Sequence, residues 1–176
     1  MSLEDILRAI TGLKTYPVTV VDSKKLAAAG DYAAEDVLSE HVSAGTVYKF
    51  GNMARKDGGT GTITKAIAFL STTALTPRIT LFLFSKEPTT NLNDNVGNAA
   101  PSTNDHLDCE GWIDFMALED LGGNSAALVT PSTIGNLPLD YKCIGKALYG
   151  IAVTRDAVTG EAVAMSLDFR LFTRQD

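Results

Sequence analysis

The sequence predicts an all-β protein, mainly antiparallel, folded as a β-sandwich or jelly roll with a short N-terminal helix and long loops. Three observations support this fold class. About seven to nine short segments alternate between apolar and polar residues, or are apolar throughout, and turn residues separate them. No helix-length periodic segments alternate with these strands, which argues against a doubly wound sheet. Long stretches rich in asparagine, threonine, proline and glycine supply the loops.

Length and charge narrow the possible partners. A chain of 176 residues can bury a sizeable core, and we expect one sandwich domain over 15–176 after an N-terminal arm over 1–14. The net charge of −6 provides no basic surface for phosphates, so nucleic acid is not an expected partner. We expect neither export nor membrane insertion, because no signal peptide or membrane-length apolar run is visible. Cys109 and Cys143 are expected to be buried thiols.

The N-terminal arm has a clear helix pattern. Ser2 can cap a helix whose first turn contains the acidic residues Glu4 and Asp5. Its apolar residues recur at helical spacing, at Leu3, Ile6, Leu7, Ile10 and Leu13. Such a helix either closes the core of its own domain or reaches a neighbouring subunit. We favour the first, because terminal helices usually need their own domain to be ordered.

The first strand follows directly after the arm. Residues 16–21 alternate as a strand does, and Pro17 confines this strand to a sheet edge or to its own first positions. Residues 24–40 are ambiguous, since they are rich enough in alanine for a helix but are interrupted by Gly30.

Two further segments, 45–55 and 61–71, are predicted as strands that KDGG joins into a hairpin. In the second of them, alternation places Ile63, Ile67 and Phe69 on one face. The opposite face then carries Thr62, Thr64, Ala66 and Ala68.

The segment PRITLFLFSK is the most apolar strand, and it does not alternate in its middle. Ile79, Leu81 and Leu83 point to one side, which we assign to the core. Phe82 and Phe84 point to the other side, so both faces need cover. We expect these two phenylalanines to contact a second layer or a neighbouring subunit, and slightly favour the neighbour.

The second half of the chain continues the strand pattern. Residues 110–118 and 125–130 are predicted strands around the turn EDLGGN, and 130–143 is mainly loop. Residues 148–155 and 161–174 form the clearest hairpin pattern, around DAVTG. One face of the last strand carries Val163, Met165, Leu167, Phe169 and Leu171.

No group of residues matches a catalytic or metal-binding pattern. The cluster DGGTGT lacks both the P-loop and the dinucleotide motif, and predicts a turn. The tract NLNDNVGN has alternate asparagines but only Asp94 as a carboxylate, and Ser102 stands where a calcium loop needs a bidentate glutamate. His106 and Cys109 lack the further ligands of a zinc site or the context of a nucleophile. We therefore expect no catalytic residue, no metal and no cofactor, and predict that the protein is not an enzyme.

Contact with other proteins is then the expected role of the long loops, since long ordered loops are usually functional. The candidate interface residues come from the arm, from the apolar strand and from the only tryptophan. They are Leu3, Ile6, Leu7, Ile10, Phe82, Phe84 and Trp112. An alternative is a carbohydrate-binding jelly roll that stacks sugars on Trp112 and Tyr141.

Three stretches carry a resemblance to a known group. They are TTALTPRITLFLFSKEPTTNLNDNVGNAAPSTND, WIDFMALEDLGGNSAALVTPSTIGNLPLDYKC and LYGIAVTRDA. They resemble small virion proteins of tailed bacteriophages, of the kind encoded near the major capsid protein, over roughly residues 40–155. The likeness lies in short sequence stretches and in their order along the chain. Because the family has no universal motif, no functional residue is carried over.

The resemblance implies a head decoration, or cement, protein on the outer capsid surface, where such proteins tie capsomers together. Its implied partner is the major capsid protein, and its implied state is a homo-oligomer, with a trimer favoured. Synthesis in the cytoplasm of the host bacterium and a final place in the virion follow from the same likeness. A tail, neck or head-fibre base component is the alternative within the same group.

Overall fold

The computed structural model describes residues 16–27, 31–72, 75–159 and 165–176. The predicted N-terminal helix over 1–14 lies outside these ranges, as does Val163 of the last predicted strand. Within them no helix is long and apolar enough to cross a membrane.

The described residues contain ten β-strands and one short 3-10 helix. The strands are β1 Tyr16–Lys25, β2 Tyr48–Phe50, β3 Thr60–Leu70, β4 Ile79–Phe84, β5 Cys109–Phe115, β6 Glu119–Asp120, β7 Ser125–Val129, β8 Leu139–Lys142, β9 Leu148–Thr154 and β10 Ser166–Gln175. The 3-10 helix, His106–Asp108, directly precedes β5. Strand β8 lies in the segment predicted as mainly loop. The ambiguous segment 24–40 contributes Lys24 and Lys25 to the end of β1, and its part 31–40 forms only isolated bridges.

The strands form two antiparallel sheets. The six-stranded sheet has the order β1-β10-β3-β7-β6, with β8 paired to the first residues of β3. The four-stranded sheet has the order β2-β9-β4-β5. The chain passes repeatedly from one sheet to the other, and the strand orders β1-β10-β3-β7 and β2-β9-β4-β5 are those of a jelly roll, to which β6 and β8 are additions. The predicted fold class is therefore confirmed, and Pro17 lies near the start of the edge strand β1 as expected.

Both predicted hairpins are wrong. The strand at Tyr48–Phe50 pairs with β9, whereas the strand that follows it pairs with β10, β7 and β8. Strands β9 and β10 likewise lie in different sheets. An alternating pattern shows that one face of a strand is buried, but both sheets of a sandwich meet this condition equally. The connections that follow β2 and β9 cross from one sheet to the other instead of closing hairpins.

The predicted faces of β3 hold only for its first half. Ile63 faces the core, but Ile67 and Phe69 face outward. The register with β10 shifts between Phe172 and Thr173, so one extra residue of β3 stands opposite that step. Such a bulge reverses the alternation beyond it. The buried side chains of the second half are Ala66, Ala68 and Leu70.

The main core fills the space between the two sheets. Ile79, Leu81 and Leu83 face it, as predicted. The Tyr48 and Phe169 rings meet edge to face within it, with centroids 5.0 Å apart. The predicted core face of the last strand is confirmed over its described residues, Met165, Leu167, Phe169 and Leu171.

Candidate interaction surfaces

The outer face of the four-stranded sheet is covered by the chain itself. Phe82 and Phe84 are 6% and 0% exposed, and they belong to a second, smaller core. The buried members of this core are Val37, Phe82, Phe84, Ile151 and Val153. We call the polar segment between β4 and the 3-10 helix, residues 85–105, the polar tract. Leu92 and Ala100 of this tract pack against the smaller core. The favoured neighbouring subunit is thus not what covers the two phenylalanines, since the second layer belongs to the same chain. Contact of a partner with this region stays a prediction.

Asp94 holds the polar tract to the segment that precedes β2. Its carboxylate accepts hydrogen bonds from the Tyr32 hydroxyl at 2.9 Å and from the Ser39 backbone N–H at 2.8 Å. Its own backbone N–H donates to the His41 carbonyl at 2.9 Å. Burial raises the pKa of Asp94 to about 6, although the bonds from Ser39 and Tyr32 act to lower it. Asp94, the carboxylate considered above as a calcium ligand, is therefore buried and links the polar tract to residues 32–41 by hydrogen bonds.

Asp105 fixes the far end of the same tract. Its carboxylate accepts hydrogen bonds from the Ser102 hydroxyl at 2.6 Å and from the Thr89 backbone N–H at 2.9 Å. Burial acts to raise the pKa of Asp105, but these bonds outweigh it and hold that pKa below its usual value. The two ends of this loop are also joined directly, because the Ser85 N–H donates to the Asp108 carbonyl at 2.8 Å. The long loop is ordered by specific polar contacts at both ends.

One end of the sandwich displays apolar side chains on loops. We call the loops 51–59, 85–108 and 130–147 the loop end, because they connect strands at the end where β1 begins and β10 finishes. Leu107, Ile134 and Ile144 are 85%, 77% and 59% exposed there. The loops also contact each other, since the Gly58 N–H donates to the Ile144 carbonyl at 2.9 Å. Three large exposed apolar side chains at one end of the sandwich make this end a candidate contact surface.

Of the three candidate interface residues that the structure describes, Trp112 is the accessible one. It lies on the edge strand β5, is 44% exposed, and its ring centroid is 6.2 Å from that of Phe82. Tyr141, its proposed partner for stacking sugars, is 4% exposed, and its hydroxyl donates to the Met53 carbonyl at 2.6 Å. A buried, bonded phenol cannot stack on a sugar, which corrects that part of the carbohydrate hypothesis.

A groove crosses the outer face of the six-stranded sheet. Sequence reasoning missed it, because the β3 bulge that turns Ile67 and Phe69 outward has no clear sequence pattern. The groove has a volume of about 760 Å³. Its apolar lining includes Val21, Ile67, Phe69, Met116, Leu121 and Leu128. We call this feature the outer groove.

Groups capable of chemistry are not brought together. The His106 ring is bonded through Nδ1 to the Thr103 carbonyl at 2.8 Å, and the Cys109 thiol contacts the Gly111 carbonyl at 3.8 Å. Burial raises the pKa of Cys109 and raises that of Cys143 to about 11, so both are held as thiols. The described ranges contain no group of three or more His, Cys, Asp or Glu residues placed to hold a metal ion.

A scan against models of protein families gives no match, and a search of curated proteins gives none either. Among solved structures, the chain is similar to one from the full particle of Israeli acute paralysis virus heated to 63 degree, with 14% identity, a TM-score of 0.36, and coverage of 91% of this chain and 68% of that one. It is similar to the decameric BFDV capsid protein, with 10% identity, a TM-score of 0.32, and coverage of 93% and 99%. It is also similar to a pentamer of Israel acute paralysis virus, with 10% identity, a TM-score of 0.33, and coverage of 97% of this chain and 92% of that one. At such low identities and TM-scores, these similarities carry no conclusion about this chain.

Proposed function

We propose that this protein is a non-enzymatic virion structural protein, a decoration or cement protein that binds the outer surface of a phage head and stabilises the capsid lattice. The observation that carries the proposal is the loop end. Leu107, Ile134 and Ile144 project from its ordered loops, and Trp112 lies half-exposed on the neighbouring edge strand. Exposed apolar groups of this kind gain free energy when a second surface removes them from water.

The fixing of these loops supports a binding role. Asp94 and Asp105 hold the polar tract in one arrangement before any partner arrives. Binding therefore requires little additional ordering of the tract, and more of the contact free energy is retained as affinity. The polar tract also lies within the stretches that resemble the virion proteins of tailed bacteriophages.

The contact surface is small and divided among several loops, which suits attachment in many copies. In a symmetric lattice each copy needs only modest affinity, because linked copies bind together. We propose a homo-oligomer, with a trimer favoured, that contacts the major capsid protein. Light scattering of the purified protein measures this state directly, and a monomer at all accessible concentrations contradicts it.

The test compares heads assembled without this protein and heads to which it has been added back. We expect added protein to sediment with expanded heads and to raise the temperature at which they disrupt. A variant with Leu107→Ser, Ile134→Ser and Ile144→Ser should lose both effects. Val42→Ser, at a residue that is 53% exposed on the covering layer, is the matched control.

Two outcomes would overturn the proposal. If heads with and without the protein disrupt at the same temperature, it is not a cement protein. If it binds purified tails or necks instead of heads, the alternative role as another virion component replaces the one proposed.

A further inference from the structure

The outer groove is an apolar surface in the middle of a sheet face, away from the loop end. Its central cross-strand row joins Val21, Arg170, Ile67 and Leu128 on four successive strands. Val21 and Leu128, at the two sides of this row, are 50% and 55% exposed. Phe69 stands in the next row. A concave apolar surface of this size is typical of a docking site for an apolar segment.

We propose that the outer groove binds residues 1–14 of the same chain as an amphipathic helix. The arm precedes the first described residue, and its sequence has an apolar stripe that needs cover when the arm is helical. The stripe consists of Leu3, Ile6, Leu7, Ile10 and Leu13. Apolar anchors at this spacing form one helix face, which is the shape that a groove across a sheet accommodates.

The length of the arm matches the distance that it has to cover. β1 begins at Tyr16 on the sheet edge next to β10, and Val21 lies about five residues, or ~17 Å, along it. A helix of about twelve residues is ~18 Å long. A link of about two residues adds up to ~7 Å, enough for the chain to turn back over the outer face. Leu128 lies ~17 Å along the strands from the row of Tyr16 and, three strands away, ~14 Å across them, a diagonal of ~22 Å. The helix and its link can span this distance if the helix axis runs obliquely across the sheet, which brings Leu3 close to Leu128.

A second depression marks the same path. It has a volume of about 450 Å³ and lies between the start of β1 and the outer groove. Pro17, Thr19 and Phe172 contribute to its lining. A helix that leaves the start of β1 in the stated direction crosses this depression before it reaches the row of Val21. The depression and the outer groove therefore form one continuous binding path for the arm.

The groove offers the arm one cation, beside two carboxylates of its lining, Glu119 and Asp168. Arg170 is exposed in the central row of the groove, and among the described residues it has no ion pair. Glu4 and Asp5 belong to the first turn of the arm helix, which this direction carries furthest along β1, to the rows around Arg170. Carboxylates there stabilise the helix N-terminus and attract the guanidinium.

The arm of the same chain has an advantage over that of a second copy. A short link holds the arm at an effective concentration in the millimolar range beside its own groove, whereas another chain has to supply its arm from solution. Intramolecular docking therefore prevails unless the link prevents it, and the distances above allow it.

A disulfide trap tests the proposal in the full chain. Leu3→Cys combined with Leu128→Cys should form an intramolecular bond under mild oxidation. The expected result is a monomer of altered mobility on a non-reducing gel, with two fewer reactive thiols per chain than after reduction. Leu3→Cys combined with Val42→Cys, which places the second thiol on the layer over the other sheet, is the control and should not link. Disulfide-linked dimers would assign the groove to the arm of a second copy and would overturn the proposal, as would the absence of any bond.

A second measurement needs no new thiol. Amide hydrogen exchange of residues 3–13 should be slowed in the unmodified protein and should become at least tenfold faster in Leu128→Asp, because a charge in the groove releases the arm. Ile134→Asp, at the loop end, should leave the exchange of the arm unchanged. Equal exchange rates of the arm in the unmodified protein and in Leu128→Asp would contradict the proposal. Neither experiment involves a capsid, so its outcome is separate from that of the proposed function.

Discussion

The outer faces of the two sheets differ in what covers them. On the four-stranded sheet, Phe82, Phe84 and Val153 are buried beneath loops that the chain itself provides. On the six-stranded sheet, Val21 and Leu128 remain half-exposed in the outer groove. The first face is continuously apolar, so the fold needs an internal layer to cover it. The second mixes apolar side chains with Asp168 and Arg170, which water tolerates and a docked helix can use.

The largest expected effect follows from removing the centre of the covered face. Phe84→Ala should lower the free energy of unfolding by about 3–5 kcal/mol, since it leaves a cavity beneath an ordered layer. Urea denaturation measures this. Phe172→Ala removes the same side chain from the half-buried outer face of β10 and should lower the free energy of unfolding clearly less than Phe84→Ala does. Equal losses at the two positions would remove the distinction between a covered and an uncovered face.

Asp94 gives the covered face a characteristic pH dependence. Its pKa is about 6 in the folded protein and about 3.8 when it is exposed, so the folded state binds more protons between these values. The free energy of unfolding should therefore fall by about 2 kcal/mol from this group as the pH rises from 4 to 6. Asp94→Asn should abolish that contribution, as measured by denaturation at several pH values. Glu87→Gln, on the exposed part of the same tract, is the control.

The pair between Lys24 and Glu40 should show the opposite pH dependence. Lys24 Nζ donates to Glu40 Oε2 at 2.7 Å and to Thr46 Oγ1 at 2.6 Å, and so joins β1 to the loop before β2. Burial acts to raise the pKa of Glu40, but bonds from Lys24 and Thr46 outweigh it and lower that pKa to about 2. This stabilisation is present above the unfolded pKa of 4.5 and is lost as the pH falls towards 2.

Glu40→Gln should accordingly cost about 1–2 kcal/mol at neutral pH and much less at pH 2. Denaturation at the two pH values measures the difference. Asp156→Asn, which breaks the exposed pair with Arg78, should cost less than Glu40→Gln at neutral pH. A loss that does not change with pH would show that the Lys24 pair does not stabilise the attachment of the loop.

The smallest effect on stability is expected at the loop end. Ile134→Ser should change the free energy of unfolding by no more than about 0.5 kcal/mol, because its side chain is already in water. Thermal denaturation tests this. A large loss would mean that the residue supports the fold instead of being available to a partner.

Local pattern was a good guide to single strands. The two apolar faces of β4 and the core face of β10 were predicted correctly, because a side chain's burial follows from its position in an alternating or continuous apolar run. The bonds of Asp94 to Tyr32 and Ser39 were not predicted, because both partners lie more than fifty residues away in the chain.

The sequence did not predict which strands pair with each other. Both hairpin predictions failed because two neighbouring strands with one buried face each can pair with each other or join opposite sheets with equal burial. The outward turn of Ile67 and Phe69 depends on the register against β10, which is a property of two distant segments together.

The sequence by itself therefore determined the class of fold, the positions of most strands and the need for cover on both faces of β4. Strand pairing, the cover that the polar tract supplies and the groove on the outer face of the opposite sheet became visible only in the folded chain. The physical reason is that local propensity and alternation act over a few residues, whereas pairing, register and cover are set by competition among segments that lie far apart in the chain.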